Sequence, residues 1–190
     1  MARNEARRKE LLDAGLRVLA ASGARGLTHR AVDREAGVPI GTSSNYFRSR
    51  SDLVGALAGR VFERIGPEPE RLDELAEEPA DLRTSQHYLR YILERLTRHD
   101  ELTVALFELR LEARRNPAVA DVVRDTLQLG YAEDVRFNAE RGLPGGPFEI
   151  ALLHYALDGL VLDLLTTPVA PDVDPYGALD ELVRRLVPDR

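Results

Sequence analysis

The chain has 190 residues, 26 basic and 32 acidic side chains and a net charge of −6, a size that suits one or two small domains with a buried core. Hydrophobic residues make up 44% and aromatic ones 6%, which excludes a disordered tail and an aromatic-rich binding sheet. The absence of cysteine excludes disulfide scaffolds, thiol catalysis and cysteine-ligated zinc. No run of about 18 uncharged apolar residues is present to span a bilayer, and Asp13 and Arg17 interrupt the only stretch that resembles a secretory leader. The expectation is a cytoplasmic protein without membrane contact.

Helical periodicity runs through the chain without strand-like alternation, which predicts an all-α fold of about nine helices. The first spans about residues 3–21, with Leu12, Leu16 and Leu19 on one stripe, and Gly23 and Gly26 end it. A short helix from Thr28 to about Ala36 follows, then the turn Gly37-Val38-Pro39, then a second short helix started by Pro39 and reaching Tyr46. Its residues 40–46 make about two turns, roughly 10 Å. Ser49 and Asp52 have capping-box spacing and open a helix carrying Leu53, Leu57, Val61 and Ile65.

Residues 66–81, proline-rich and acidic, read as a linker. Stripes resume at Leu89, Ile92, Leu93 and Leu96, and again from Leu102 to about Arg114, where Asn116-Pro117 stops them. Val119, Val122, Val123 and Leu127 mark a helix to about Glu140, and residues 141–147 break it. Residues 148–165 are apolar on almost every face, so this helix needs cover on every face. A second copy of the chain supplies it if the last helix joins in, giving a homodimer through helices 148–165 and 175–187. The alternative is a helix central to its own domain.

Charge is unevenly placed. Residues 1–60 hold 11 basic and 6 acidic side chains, whereas residues 61–190 hold 15 and 26. A basic head on an acidic body suits nucleic acid at one end. Residues 28–47, THRAVDREAGVPIGTSSNYF, have the pattern of a helix-turn-helix, with Thr28 as cap beside a phosphate and Gly37 supplying the positive φ of the turn. The candidate DNA contacts are Thr28, Arg30, Pro39, Ile40, Gly41, Thr42, Ser43, Ser44, Asn45, Tyr46, Arg48 and Arg50. Asn45 can pair with an adenine edge and the Thr42 methyl can meet a thymine methyl. Arg30, Arg48 and Arg50 suit phosphates, and Arg3, Arg7, Arg8 and Lys9 can follow the backbone or a minor groove.

The stretch from about Arg7 to Leu57 resembles the DNA-binding domain of TetR-family transcriptional regulators. The matching residues include Leu11, Leu12, Ala14, Gly23, Gly26-Leu27-Thr28, Arg30, Ala36-Gly37-Val38, Gly41-Thr42, Tyr46-Phe47, Ser49, Arg50 and Leu53. The resemblance implies a three-helix DNA-binding head on a larger helical body that binds a ligand and dimerises. It implies a regulator, expected to repress from a palindromic double-stranded DNA operator until a small-molecule effector releases it. Domains follow as residues 1–50 for the head, helical over about 3–47, and 51–190 for the body, with helix 50–65 as connector. This sequence departs from the family at Ser43-Ser44, where a leucine-tyrosine pair is usual, at Asp33, where alanine is usual, and at Arg50, where lysine is usual. Ser43 thins the core beneath the recognition helix, and these departures leave open an alternative: a helical sensor or interaction protein with a degenerate head.

For an effector pocket the candidates are Tyr88, Tyr91, Phe107, Arg110, Arg114, His154 and Asp158. Phe107, Arg110 and Arg114 are spaced to share a helix face, where an arginine can hold a carboxylate or pair with a neighbouring glutamate. His87, His99 and His154 lack metal-ligand spacing, and the glycines of LPGGP, residues 143–147, lack the lysine and strand context of a phosphate loop. The sequence therefore predicts no enzyme, no metal and no cofactor.

Overall fold

A computed structural model describes residues 2–188, with side chains from residue 4 onward except that of Ala118. Ten helices run in chain order among the described residues, and no strand: α1 Ala2–Gly26, α2 His29–Glu35, α3 Thr42–Tyr46, α4 Arg50–Ile65, α5 Pro69–Ala76, α6 Leu82–Arg98, α7 Asp100–Ala113, α8 Pro117–Arg141, α9 Pro147–Leu165 and α10 Pro175–Leu186. They group into two compact units. The first holds residues 1–66 and 99–127, the second residues 67–98 and 128–190.

In the first unit α1 packs on α2, α4 and α7. Its stripe of Leu11, Leu12, Leu16 and Leu19 is buried, as are Leu53, Leu57 and Val61 of α4 and Ala105 and Leu109 of α7. Each leucine removed from water in this way stabilises the unit by roughly 1.5–3 kcal/mol. A Cβ on Gly15 would lie 2.8 Å from Leu57 Cδ2, so glycine sets how closely α1 and α4 approach. Gly23, at φ +63°, breaks α1 as its position in the sequence predicts. An ion-pair clamp joins the same two helices, with Arg60 Nε and Nη2 donating to the two Asp13 oxygens at 2.8 and 2.9 Å and Arg64 at 3.1 Å. Burial alone would raise the Asp13 carboxyl, but these two arginines bring it below its ordinary value.

In the second unit α6 packs on α5, α9 and α10. Leu153, Val183 and Val187 form one core with Leu82, Leu89 and Leu186 against it, and Leu75, Tyr88, Tyr91 and Leu143 form another with Leu72 and Phe137. Arg90 pairs with Asp180, and the Gln86 amide donates to the Asp180 carbonyl at 3.1 Å, tying α6 to α10.

The segment read as a linker corrects that expectation, because it contains α5. Pro69 begins this helix, where a missing N–H costs nothing, and Leu72 and Leu75 bury into the Tyr88–Tyr91 cluster. The Glu68 amide donates to the Tyr91 hydroxyl at 2.7 Å and fixes the start. The second short helix of the head is also corrected. It begins at Thr42 rather than at Pro39, because Gly41 at φ +96° interrupts any right-handed turn there. Five residues span about 7.5 Å rather than 10 Å.

Candidate nucleic-acid interface

The head is built by capping and one buried carboxylate. Thr28 Oγ1 accepts from the Ala31 amide at 3.1 Å and starts α2. Gly37 turns the chain at φ +65°, and Ser49 and Asp52 exchange side-chain and backbone bonds at 3.0 and 3.1 Å to open α4. His29 donates from Nε2 to the Phe47 carbonyl at 2.8 Å, which fixes the end of α3 to the start of α2.

Asp33 of α2 is wholly buried and faces the start of α3. Its Oδ2 accepts from the Gly41 amide and its Oδ1 from the Ser43 amide, both at 2.7 Å. Ser43, equally buried, donates its hydroxyl to the His29 carbonyl at 3.0 Å. The two departures from the usual pattern are therefore partners. Where apolar packing would seat the helix, a carboxylate grips the first amides of α3, and charge-assisted bonds to backbone N–H groups are the stronger kind. The thinner core expected at Ser43 is compensated by three hydrogen bonds, a pairing eight and ten residues apart that periodicity does not reveal.

With Ser43 turned inward, Ile40, Ser44 and Asn45 are exposed and Thr42 and Tyr46 half-buried. Thr42 donates its hydroxyl to Pro39 O at 2.6 Å and Ser44 to Gly41 O at 2.8 Å. Pro39, Arg30 and Arg48 are exposed around them. Arg50 has partners: Nη1 donates to Glu112 Oε1 at 2.7 Å and Nη2 to the Ala24 carbonyl at 2.6 Å. Hydrogen bonding from Arg50, opposed by burial and aided by Arg115, holds Glu112 below the usual carboxylate range. Glu108 of the same helix accepts from the Ala24 amide at 3.1 Å, so α7 holds the amide of Ala24 while Arg50 of α4, itself paired with Glu112, holds its carbonyl.

Of the basic N-terminal residues, Arg7 pairs with Glu10 at 2.8 Å, Lys9 with Glu63 at 3.4 Å, and the Arg8 guanidinium lies 5.5 Å from the Phe47 ring centre. The side chain of Arg3 lies outside the described residues. A cavity of about 460 Å³ opens on the head, lined by Ala24, Arg25, Leu27, Thr28, His29, Arg50 and Leu53. Sequence reasoning missed Arg25 and His29 there. The only available signal was their position directly before and after the capping segment.

The seven pocket candidates divide between the units. Phe107, Arg110 and Arg114 belong to the first, where Arg110 lies 6.0 Å from the Phe107 ring and Arg114 is exposed. Tyr88, Tyr91, His154 and Asp158 belong to the second. Tyr88 and Tyr91 sit in the α5–α6 core, whereas His154 pairs with Asp134 at 2.9 Å and meets the Tyr131 ring edge-on.

A family model described as "Bacterial regulatory proteins, tetR family" matches residues 11–57, and one described as "Tetracyclin repressor-like, C-terminal domain" matches residues 80–189. The chain belongs to the TetR family. This TetR-family protein is 25% identical over 178 residues to the HTH-type transcriptional regulator PksA of Bacillus subtilis, covering 90% of this chain and 84% of that one. It is 40% identical over 65 residues to the HTH-type transcriptional repressor KstR of Mycolicibacterium smegmatis, covering 34% and 32%. Among solved structures, the multidrug binding protein EbrR complexed with ethidium is 30% identical at a TM-score of 0.69, covering 96% and 99%. A TetR-family member from Streptomyces coelicolor is 28% identical at 0.69, covering 96% and 98%. The TetR-family protein is accordingly a DNA-binding transcriptional regulator, and among its described residues no helix is long and apolar enough to cross a membrane.

Proposed function

We propose that the protein is a cytoplasmic repressor that binds a palindromic operator as a homodimer and is released by a small molecule held in its helical body. In this reading residues 1–50 read DNA, residues 51–190 bind the effector and dimerise, helix 50–65 transmits between them, and no catalytic step is involved. The observation that carries it is the Asp33 grip on Gly41 and Ser43, which seats α3 while leaving Ile40, Ser44 and Asn45 outward. A head kept only as a relic has no use for a buried carboxylate aimed at the first turn of a five-residue helix. Exposed Arg30 and Arg48, with the cavity bearing Arg25 and Arg50, suit backbone phosphates on either side.

Dimerisation is supported by α9, where Phe148, Tyr155 and Leu162 recur every seventh residue at 69%, 71% and 44% exposure. An apolar face of this kind marks an interface. In a pair, the two heads would meet half-sites about 34–36 Å apart. Effector control is supported by the TetR-family relative EbrR, which is described as a multidrug binding protein and was crystallised with ethidium and with proflavin. In this chain Tyr88 and Tyr91 are the proposed lining. The Tyr88 hydroxyl is buried beside the Arg141 guanidinium, and burial pushes its pKa up while Arg141 opposes the shift. By linkage, such an effector weakens DNA binding by the factor by which DNA weakens effector binding.

The test is an anisotropy titration against duplexes from the DNA upstream of its own gene, with sedimentation of the free protein. A preferred palindrome bound by a dimer is expected, and Tyr155→Glu with Leu162→Glu gives monomers of lower operator affinity. Equal affinity for scrambled duplexes, or an unchanged dimer in the double variant, overturns the reading.

A further inference from the structure

We infer that the recognition surface reads thymine methyl groups, with Ile40 as the residue that sets this specificity. The inference rests on the DNA-binding reading above and adds the class of base pair recognised. From Pro39 to Phe47 the sequence is PIGTSSNYF, without one charged residue. Guanine is most often read by an arginine or lysine reaching its two acceptors, and cytosine by an acid accepting from its amino group. Neither reader is present on this segment.

The hydroxyls narrow the choice further. The protons of Thr42 and Ser44 are spent on Pro39 O and Gly41 O, and the Ser43 proton on His29 O. Thr42 and Ser44 keep acceptor oxygens but offer no proton to a base, and the Thr42 methyl is the part of that side chain left for contact. Outward of this framework stand Ile40, 62% exposed, and the exposed Asn45 amide. An isoleucine held at the tip of a polar, cationic head gains nothing in water. Against a major groove it meets the one apolar group a base pair displays there, the thymine 5-methyl, while an amide such as that of Asn45 matches the paired donor and acceptor of adenine. Both features select A·T pairs.

The experiment alters the DNA and leaves the protein intact. Duplexes are selected from a randomised library by the full-length protein, and each thymine of the winning half-site is replaced by deoxyuridine, which keeps every hydrogen bond and removes one methyl. Wild-type affinity is expected to fall about four-fold for the decisive thymine in one half-site, and about fifteen-fold when both half-sites are changed. In Ile40→Ala, an exposed substitution that leaves the core alone, the same deoxyuridine duplex binds as well as the thymine one. Full wild-type affinity for the deoxyuridine duplexes, or an equal penalty in Ile40→Ala, overturns the inference while the DNA-binding reading stands. Failure to select any preferred duplex brings down both.

Discussion

Replacing Asp33 tests how the recognition helix is held. Its carboxylate accepts two backbone amides at 2.7 Å with no exposure to solvent. Asp33→Ala leaves the buried Ser43 amide without an acceptor and the half-buried Gly41 amide partly so. An orphaned buried donor costs about 1–3 kcal/mol, with charged acceptors at the upper end, so the sum is about 3–4 kcal/mol, a large part of a typical domain's stability of 5–15 kcal/mol. A five-residue helix does not persist alone. What still seats α3 is the Ser43 bond to His29 O, the His29 bond to Phe47 O and the turn at Pro39. Operator affinity is therefore expected to fall on the order of 100-fold, since 1.4 kcal/mol corresponds to a factor of ten. Asp33→Asn keeps one acceptor and turns its amide toward the other donor, so its loss is about half as large in free energy. Introducing the family's usual pair together, Asp33→Ala with Ser43→Leu, recovers part of the stability lost by the first change alone. Thermal unfolding and anisotropy titration on these variants measure both quantities. An Asp33→Ala protein with unchanged melting temperature and unchanged operator affinity refutes the reasoning.

Arg50→Ala is expected to weaken binding to all duplexes alike, lower the salt slope by about 0.9 for one lost phosphate contact and reduce thermal stability through the lost Glu112 bond. A titration across salt concentrations with a fixed salt slope leaves Arg50 as a clasp between helices and removes it from the phosphate set. Asp13→Asn removes a carboxylate whose folded pKa lies below its unfolded value. Its contribution, about 1–3 kcal/mol from the paired hydrogen bonds, is present above about pH 4 and vanishes as pH falls through the folded value. The stability gap between wild type and Asp13→Asn, followed by denaturant titration, is expected to close below pH 4. A gap that stays constant from pH 7 to pH 2 contradicts the clamp.

Local signals in the sequence carried most of the head. Gly37 and Gly23 take the positive φ that their positions require, Ser49 and Asp52 form the capping box, and Leu53, Leu57, Val61 and Ile65 are all buried. Signals that depend on distant partners stayed hidden. Proline and acidic residues around Leu72 and Leu75 look like a linker until Tyr88, Tyr91 and Leu143 are brought against them. Asp33 reads as a mere departure until the turn returns Gly41 and Ser43 to it. Arg50 looks like a free surface cation because Glu112 stands 62 positions away. Pocket residues were least legible, since a ligand site is a matter of shape, and helical spacing reports only which residues share a face.

That α7 and the opening turns of α8 fold into the same unit as α1–α4 means the DNA reader is not a cassette. Chimeras joined after residue 66 would strip α1 and α4 of the packing that α7 supplies, and would cut the tie from Arg50 to Glu112. Lineages that exchange operators by recombination must then either carry two separated stretches of gene together or change the reading residues one at a time, in place.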